Sequence, residues 1–297
     1  MKQKSVTVLL LAFLSIVANA SSLDSLRYDI LQRIGKYNAE VGVAVMINDT
    51  DTLTVNNNGK YPMMSVFKFH QALGVCHFMQ TNGIPLDSVI HISKEELREN
   101  TYSPLRDRYP EGNIRISLSE LMEYTLQFSD NNACDILFNR ILSVKDTDRY
   151  IRSLGIDDFS IEMDENDMHQ NLDSCYRNWT TPMAAVNLMN LFLEGDAVSG
   201  EYYDFIKRTM TECTTGTARL PYPLKNANAV IGHKTGTGDR NSEGRYIGIN
   251  DIGFVEFPDG DKYLIAVFVK DSAEEYDKTE GIIAEISSIV YEYINNQ

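Results

Sequence analysis

Strand-like sequence occurs only towards the two ends of this chain, and the long stretch between them reads as helix. Near the start, VGVAVMI (41–47), an NDTD turn and TLTVN (52–56) have the pattern of a hairpin. Near the end, HKTGTG (233–238), NDIGFVEF (250–257) and KYLIAVFVK (262–270) read as strands, the last two joined by the turn sequence Pro258-Asp259-Gly260. From Ser65 to about residue 209 the signals are mainly helical. Ser117 and Glu120 form an S-x-x-E capping box, and Thr181-Pro182 sets an N-cap before a proline at the first helical position. Amphipathic helices stand at both ends: Leu26, Ile30, Ile34 and Tyr37 share a stripe over 22–37, and Ile282, Ile286, Ile289 and Tyr293 share one in the last helix. Strands that flank a helical block meet in one sheet, and hairpin links make it antiparallel. The expected fold is α/β of the α+β kind, an antiparallel sheet flanked by terminal helices. Residues 21–63 and 210–297 would build it, with 64–209 as an all-helical subdomain beside it. Sites usually lie in the cleft between such halves.

The first twenty residues do not belong to that fold. Lys2 and Lys4 precede VTVLLLAFL, and Ala18-Asn19-Ala20 closes the segment, which makes a secretory signal peptide cleaved after Ala20. The apolar run is too short to span a bilayer comfortably. A periplasmic protein is expected. Without Lys2 and Lys4 the chain keeps 25 basic residues against 42 acidic ones. That balance repels nucleic acid and anionic lipid. Export permits disulfides, but Cys76, Cys134, Cys175 and Cys213 show no metal-ligand spacing. Cys76 and Cys134 each fall on a core helix, as a bridge or as two buried thiols. The histidines at 70, 77, 91, 169 and 233 form no HxH or HExxH pattern, so no metal site is expected.

Three short motifs carry chemistry. In YPMMSVFKFH, Ser65 and Lys68 are spaced to share one helix face. A lysine shielded from water can help take the proton from a serine and make it a nucleophile. A cap serine followed by a snorkelling lysine explains the same pair without function. Ser129-Asp130-Asn131 sits between two helical patterns and suits an N-cap. Functionally, Ser129 can pass a proton to a leaving group and Asn131 can hold a substrate amide. Lys234-Thr235-Gly236-Thr237-Gly238 reads blandly as a strand edge with glycine kinks. Functionally, Lys234, Thr235 and Thr237 can grip a substrate carboxylate, while the glycines, Gly236 first, let the backbone approach the ligand.

S-x-x-K, S-D-N and K-T-G in this order are the established motif set of class A β-lactamases and penicillin-binding proteins. On that pattern the chain resembles a class A serine β-lactamase over essentially all of its mature length. The polar, weakly periodic stretch 157–180 is similar to the family's Ω-loop, a long segment without a clear element of its own. Its Glu-x-x-Leu-Asn is matched by Glu165-Asn166-Asp167-Met168-His169, which makes Glu165 the implied general base for deacylation. Departures are visible. His169 replaces the Asn that helps hold the deacylating water, Met163 and Trp179 replace an Arg–Asp pair, and Asp135 replaces a bracing Asn. The resemblance therefore implies a loop held differently, as in extended-spectrum branches, and cephalosporins as substrates beside penicillins. Arg219 or Arg245 would help bind the substrate carboxylate, and Tyr102 of Tyr102-Ser103-Pro104 would pack against the substrate. The implied enzyme is a monomer with a small-molecule β-lactam substrate and no cofactor. The acylation base is left open between Lys68 and Glu165. A DD-peptidase acting on D-Ala-D-Ala peptides, or a non-catalytic binding protein, would share the scaffold.

Overall fold

The computed structural model describes residues 23–296, so the signal segment lies outside the described residues. Helix α1 (23–34) leads into strands β1 (Glu40–Ile47), β2 (Asp51–Val55) and the short β3 (Tyr61–Pro62). A single 3-10 turn, Met64–Val66, opens into α2 (Phe67–Asn82). The middle of the chain holds β4 (Val89–Ile92), α3 (Pro104–Arg108), β5 (Ile114–Ser117), α4 (Leu118–Leu126), α5 (Asn131–Arg140) and α6 (Val144–Ser153). Then come β6 (Phe159–Ser160), α7 (Glu165–Gln170), β7 (Trp179–Thr180), α8 (Pro182–Leu193) and α9 (Gly200–Thr211). The last elements are β8 (Val230–Thr237), β9 (Tyr246–Glu256), β10 (Lys262–Ser272) and α10 (Tyr276–Asn295).

The two strand-bearing ends meet as expected. One five-stranded antiparallel sheet runs β2-β1-β10-β9-β8. It is covered on both faces, which is why its sequences are continuous apolar runs rather than alternating ones. Val43 and Val45 of β1 pack with Leu26 and Ile30 of α1 and Ile282 and Ile286 of α10. Ala44 and Met46 point the other way, into the larger core formed by the helices. The strands begin and end beyond the segments read from sequence. Asn250 and Asp251 look like a strand start, yet β9 begins at Tyr246 and carries both residues fully buried. The helical block also contains a two-stranded β4–β5 ladder, and its β6 and β7 join β3 from the preceding segment in a three-stranded one. Ser117 and Thr181 cap α4 and α8 with their side chains, but the reciprocal Glu120 half of the expected capping box is not formed.

Helix α2 runs through the middle of the helical core, with Phe67, Phe69, Ala72, Leu73, Val75 and Cys76 buried. His70 is buried with them, its ring beside Phe69 and Phe159. Burial pushes its pKa from 6.5 down to about 4. Above pH 6.5 the imidazole is neutral in the folded and unfolded chains alike. Between 6.5 and about 4 only the unfolded chain takes up the proton, so stability falls as pH falls. The loss from this group should reach about 3 kcal/mol and then level off. Urea unfolding at several pH values should show this decline in the wild type, and His70→Phe should lack that component.

Candidate active site

Ser65 stands in the 3-10 turn at the head of α2. The residue before it, Met64, has φ of 48°, and Ser129 across the cleft has 60°. Left-handed conformation at a non-glycine residue costs about 1–2 kcal/mol, so the packing around both positions imposes it. Asn250 does part of this. Its side chain donates to the carbonyls of Pro62 (2.8 Å) and Met63 (3.1 Å) and accepts from the Val269 amide. The serine-bearing segment is thereby clamped to the sheet. Gly236 takes part in the same seat. A Cβ there would lie 2.4 Å from the Met63 carbonyl oxygen, and one on Gly238 would lie 3.0 Å from the Met64 side chain. The absence of a side chain at these two K-T-G glycines thus lets the strand close on the Ser65 segment.

Lys68 is fully buried one helical turn on. Its Nζ lies 3.0 Å from Ser65 Oγ, 2.7 Å from the Ser129 carbonyl, 2.7 Å from Asn131 Oδ1 and 2.8 Å from Glu165 Oε1. Ser65 Oγ is also 3.3 Å from Glu165 Oε1. The Asn131 amide group donates to Thr101 Oγ1 on its other side. Lys234 is buried on β8 and donates to Ser129 Oγ at 2.9 Å. Burial, reinforced by the nearby Lys68 ammonium, brings the Lys234 pKa down to about 7.

The S-D-N motif does two jobs. Asp130 caps α5 through the Ala133 amide and also accepts from Ser103 Oγ and the Leu105 amide. Its burial raises its pKa, and these donors oppose that shift. The segment carrying Tyr102 is tied down in this way, and the Tyr102 ring stays exposed at the cleft wall.

The 157–180 stretch is more ordered than its composition suggests. Glu165 is the first residue of α7 and is buried, with Asp164 as N-cap. Asp135 accepts from the amides of Glu165 (2.9 Å) and Asn166 (3.1 Å), two donors that the helix cannot satisfy itself. Its third partner is the Arg98 guanidinium. Asn178 bonds the backbone of Glu162 and Met163, and Tyr176 bonds Asp271. Met163 is half-buried, and Trp179 stacks under the Lys60 ammonium at 4.0 Å. Carboxylate-to-amide bonds thus hold the loop where the family's Arg–Asp pair is missing.

His169 is exposed and is not among the residues lining the cleft cavity, while Met168 before it is buried. Arg245 is also elsewhere, bonded to Asn38 and the Asp271 carbonyl. Arg219 is the arginine at the cleft. It is buried and donates to the carbonyls of Gly236 and Asn250, to Thr237 Oγ1 at 2.7 Å and to Tyr276, and it pairs with Glu280. Thr235 is buried, its hydroxyl 2.6 Å from that of Thr215. Ser65, Tyr102, Ser129, Asn131, Glu165 and Thr237 face a common cavity of about 410 Å³. Sequence reading missed Thr215, Tyr276, Asn178 and Asn250. Only Asn250 had a signal, a polar residue inside an apolar strand. All four cysteines are free, so Cys76 and Cys134 are two buried thiols. No cluster of potential metal ligands occurs among the described residues.

Comparison with known proteins agrees with this geometry. The model of the β-lactamase enzyme family matches residues 25–294. A β-lactamase of Bacteroides uniformis is 42% identical over 93% of each chain. The extended-spectrum β-lactamase PER-1 of Pseudomonas aeruginosa is 33% identical over 97% of this chain and 92% of its own. Among solved structures, the TLA-1 extended-spectrum β-lactamase superposes with a TM-score of 0.89 at 42% identity, covering 92% of this chain and 99% of that one. A class A β-lactamase from Bacteroides cellulosilyticus gives the same score and identity over 93% and 99%. The chain belongs to the β-lactamase enzyme family, as a serine hydrolase of class A.

Proposed function

We propose that Ser65 opens the β-lactam ring as nucleophile and that Glu165 drives water onto the resulting ester. The observation that carries this reading is the meeting of Ser65, Lys68 and Glu165 within 3.3 Å, although Glu165 is a hundred residues further along the chain. Lys68 Nζ and Glu165 Oε1 both lie within reach of the serine proton. Ser129 returns a proton to the ring nitrogen, drawing on the Lys234 ammonium at its oxygen. The amides of Ser65 and Thr237 bind the oxyanion, a contribution typically worth about 10²–10³ in rate per donor. Lys234, Thr235 and Thr237 hold the substrate carboxylate, and Tyr102 and Asn131 flank the rest of the substrate. Arg219 acts as a positioning residue, through the Thr237 hydroxyl it binds. The cleft would lie between two interleaved subdomains, 21–63 with 210–297 and 64–209.

Oxyimino-cephalosporins join penicillins as substrates in this reading, because PER-1 and TLA-1 are extended-spectrum enzymes. The protein is exported and works as a monomer. No helix among the described residues is long and apolar enough to cross a membrane. Steady-state assays with benzylpenicillin and cefotaxime should show sustained turnover of both. One equivalent of product followed by arrest would instead describe a slow penicillin acceptor.

A further inference from the structure

Asn250 is fully buried and does not line the cavity, yet both amides that bind the oxyanion are placed from it. It stands in β9 directly opposite Gly236 of β8, the residue before Thr237. The backbone on that side is locked without its side chain, because the buried Arg219 guanidinium donates to the carbonyls of both Gly236 and Asn250. The side chain reaches the other way. Its Oδ1 accepts from the Val269 amide of β10 at 3.2 Å, which turns Nδ2 towards the segment carrying Ser65. There Nδ2 spans two successive carbonyls, those of Pro62 and Met63. The Met63 carbonyl also accepts from the Val66 amide at 3.1 Å, across the turn that holds Ser65. The left-handed Met64 comes next, and the Ser65 amide follows it at the open start of the helix, where amides have no partner within the helix.

The Thr237 amide is aimed by the same strand pair. β8 is an edge of the sheet, and the Gly238 amide points inward, donating to the Gly248 carbonyl at 2.8 Å. Amides alternate sides along a strand, so that of Thr237 faces outward, into the cavity this residue lines. Asn250 thus refers to one donor through its place in the ladder and to the other through its side chain. We propose, on the reading of Ser65 as nucleophile given above, that Asn250 is a positioning residue for the oxyanion hole and sets the separation of the Ser65 and Thr237 amides. Such donors act only when they are fixed in advance where charge develops. The β-lactam carbonyl oxygen becomes an anion when Ser65 Oγ bonds to its carbon, and hydrogen bonds to an anion are roughly twice as strong as neutral ones. A loosened serine segment therefore costs little in the bound substrate and much in the tetrahedral adduct. Lys234, Thr235 and Thr237 keep their places on β8 either way, so the grip on the carboxylate is unaffected.

Asn250→Leu is close in size and cannot hydrogen-bond. Asn250→Asp keeps the bond from the Val269 amide and lacks the donor. Whichever variant melts closer to the native protein carries the comparison. Its kcat/KM for benzylpenicillin should fall by about 30- to 300-fold. Phenylboronic acid, which forms a tetrahedral adduct on a serine oxygen, should lose affinity by a similar factor. Reversible binding of benzylpenicillin, measured in a Ser65→Ala background with and without the Asn250 substitution, should differ by less than about threefold. A general loosening of the cleft would weaken all three together, and that result overturns the proposal. So does a kcat/KM within about threefold of the native value. An error in the nucleophile itself shows elsewhere and overturns both readings: native protein that phenylboronic acid does not inhibit, or Ser65→Ala that still turns over.

Discussion

Ser65→Ala should remove β-lactam turnover by a factor of about 10⁴ or more while leaving the protein folded. Among the described residues, two candidate hydroxyls on the neighbouring motifs are already engaged. Ser129 Oγ is engaged by Lys234 and Thr235 Oγ1 by Thr215. The stability cost should be small, about 1 kcal/mol, because only two hydrogen bonds of a half-buried hydroxyl are lost. Lys68 and Glu165 remain paired at 2.8 Å without it. Penicillin should still bind reversibly, since Lys234, Thr235 and Thr237 are untouched. Nitrocefin hydrolysis and a thermal melt on the same sample check both halves. Retained hydrolysis at more than a trace rate would show that the nucleophile lies elsewhere.

Glu165→Gln should convert the enzyme into a stoichiometric acceptor of penicillin, with kcat down by at least about 10³. Intact mass should rise by one penicillin and stay raised for hours. Glutamine is the better substitution because Glu165 also neutralises a buried ammonium. Breaking a buried pair by removing one partner costs about 3–5 kcal/mol, so Glu165→Ala should lower the melting temperature as well as trap the ester. Glutamine keeps an oxygen for Lys68 but cannot take a proton from water. Fast hydrolysis by Glu165→Gln would mean that another group serves as base.

Much of this was readable from residue order, for different reasons in different places. Continuous apolar runs at the two ends could satisfy their backbone only by pairing, so the single sheet followed. Ser65 and Lys68 are local, and one helical turn brings them together. The three motifs share no local geometry, and only a known pattern joined them before the structure did. His169 shows the limit of matching by position. Its place in the loop matches the family's Asn, yet its side chain is exposed and is not among those lining the cavity. Arg219 and Arg245 could not be separated because each sits after a glycine-containing turn, and only packing shows which one β8 and α10 enclose. Asp135 looked like a loss of support. Its carboxylate in fact accepts two amides where the loop begins its helix. Asn178 and Thr215 act through backbone or hydroxyl contacts that no spacing rule anticipates.

The crowd around Lys68 has one member too many. An ammonium has three hydrogens, and four oxygens stand within 3.0 Å of this one. The three nearest, on Ser129, Asn131 and Glu165, can consume all of them, and the most distant belongs to Ser65. At rest the serine oxygen holds the longest of these four bonds and the easiest to give up, while its own hydrogen is turned towards Glu165.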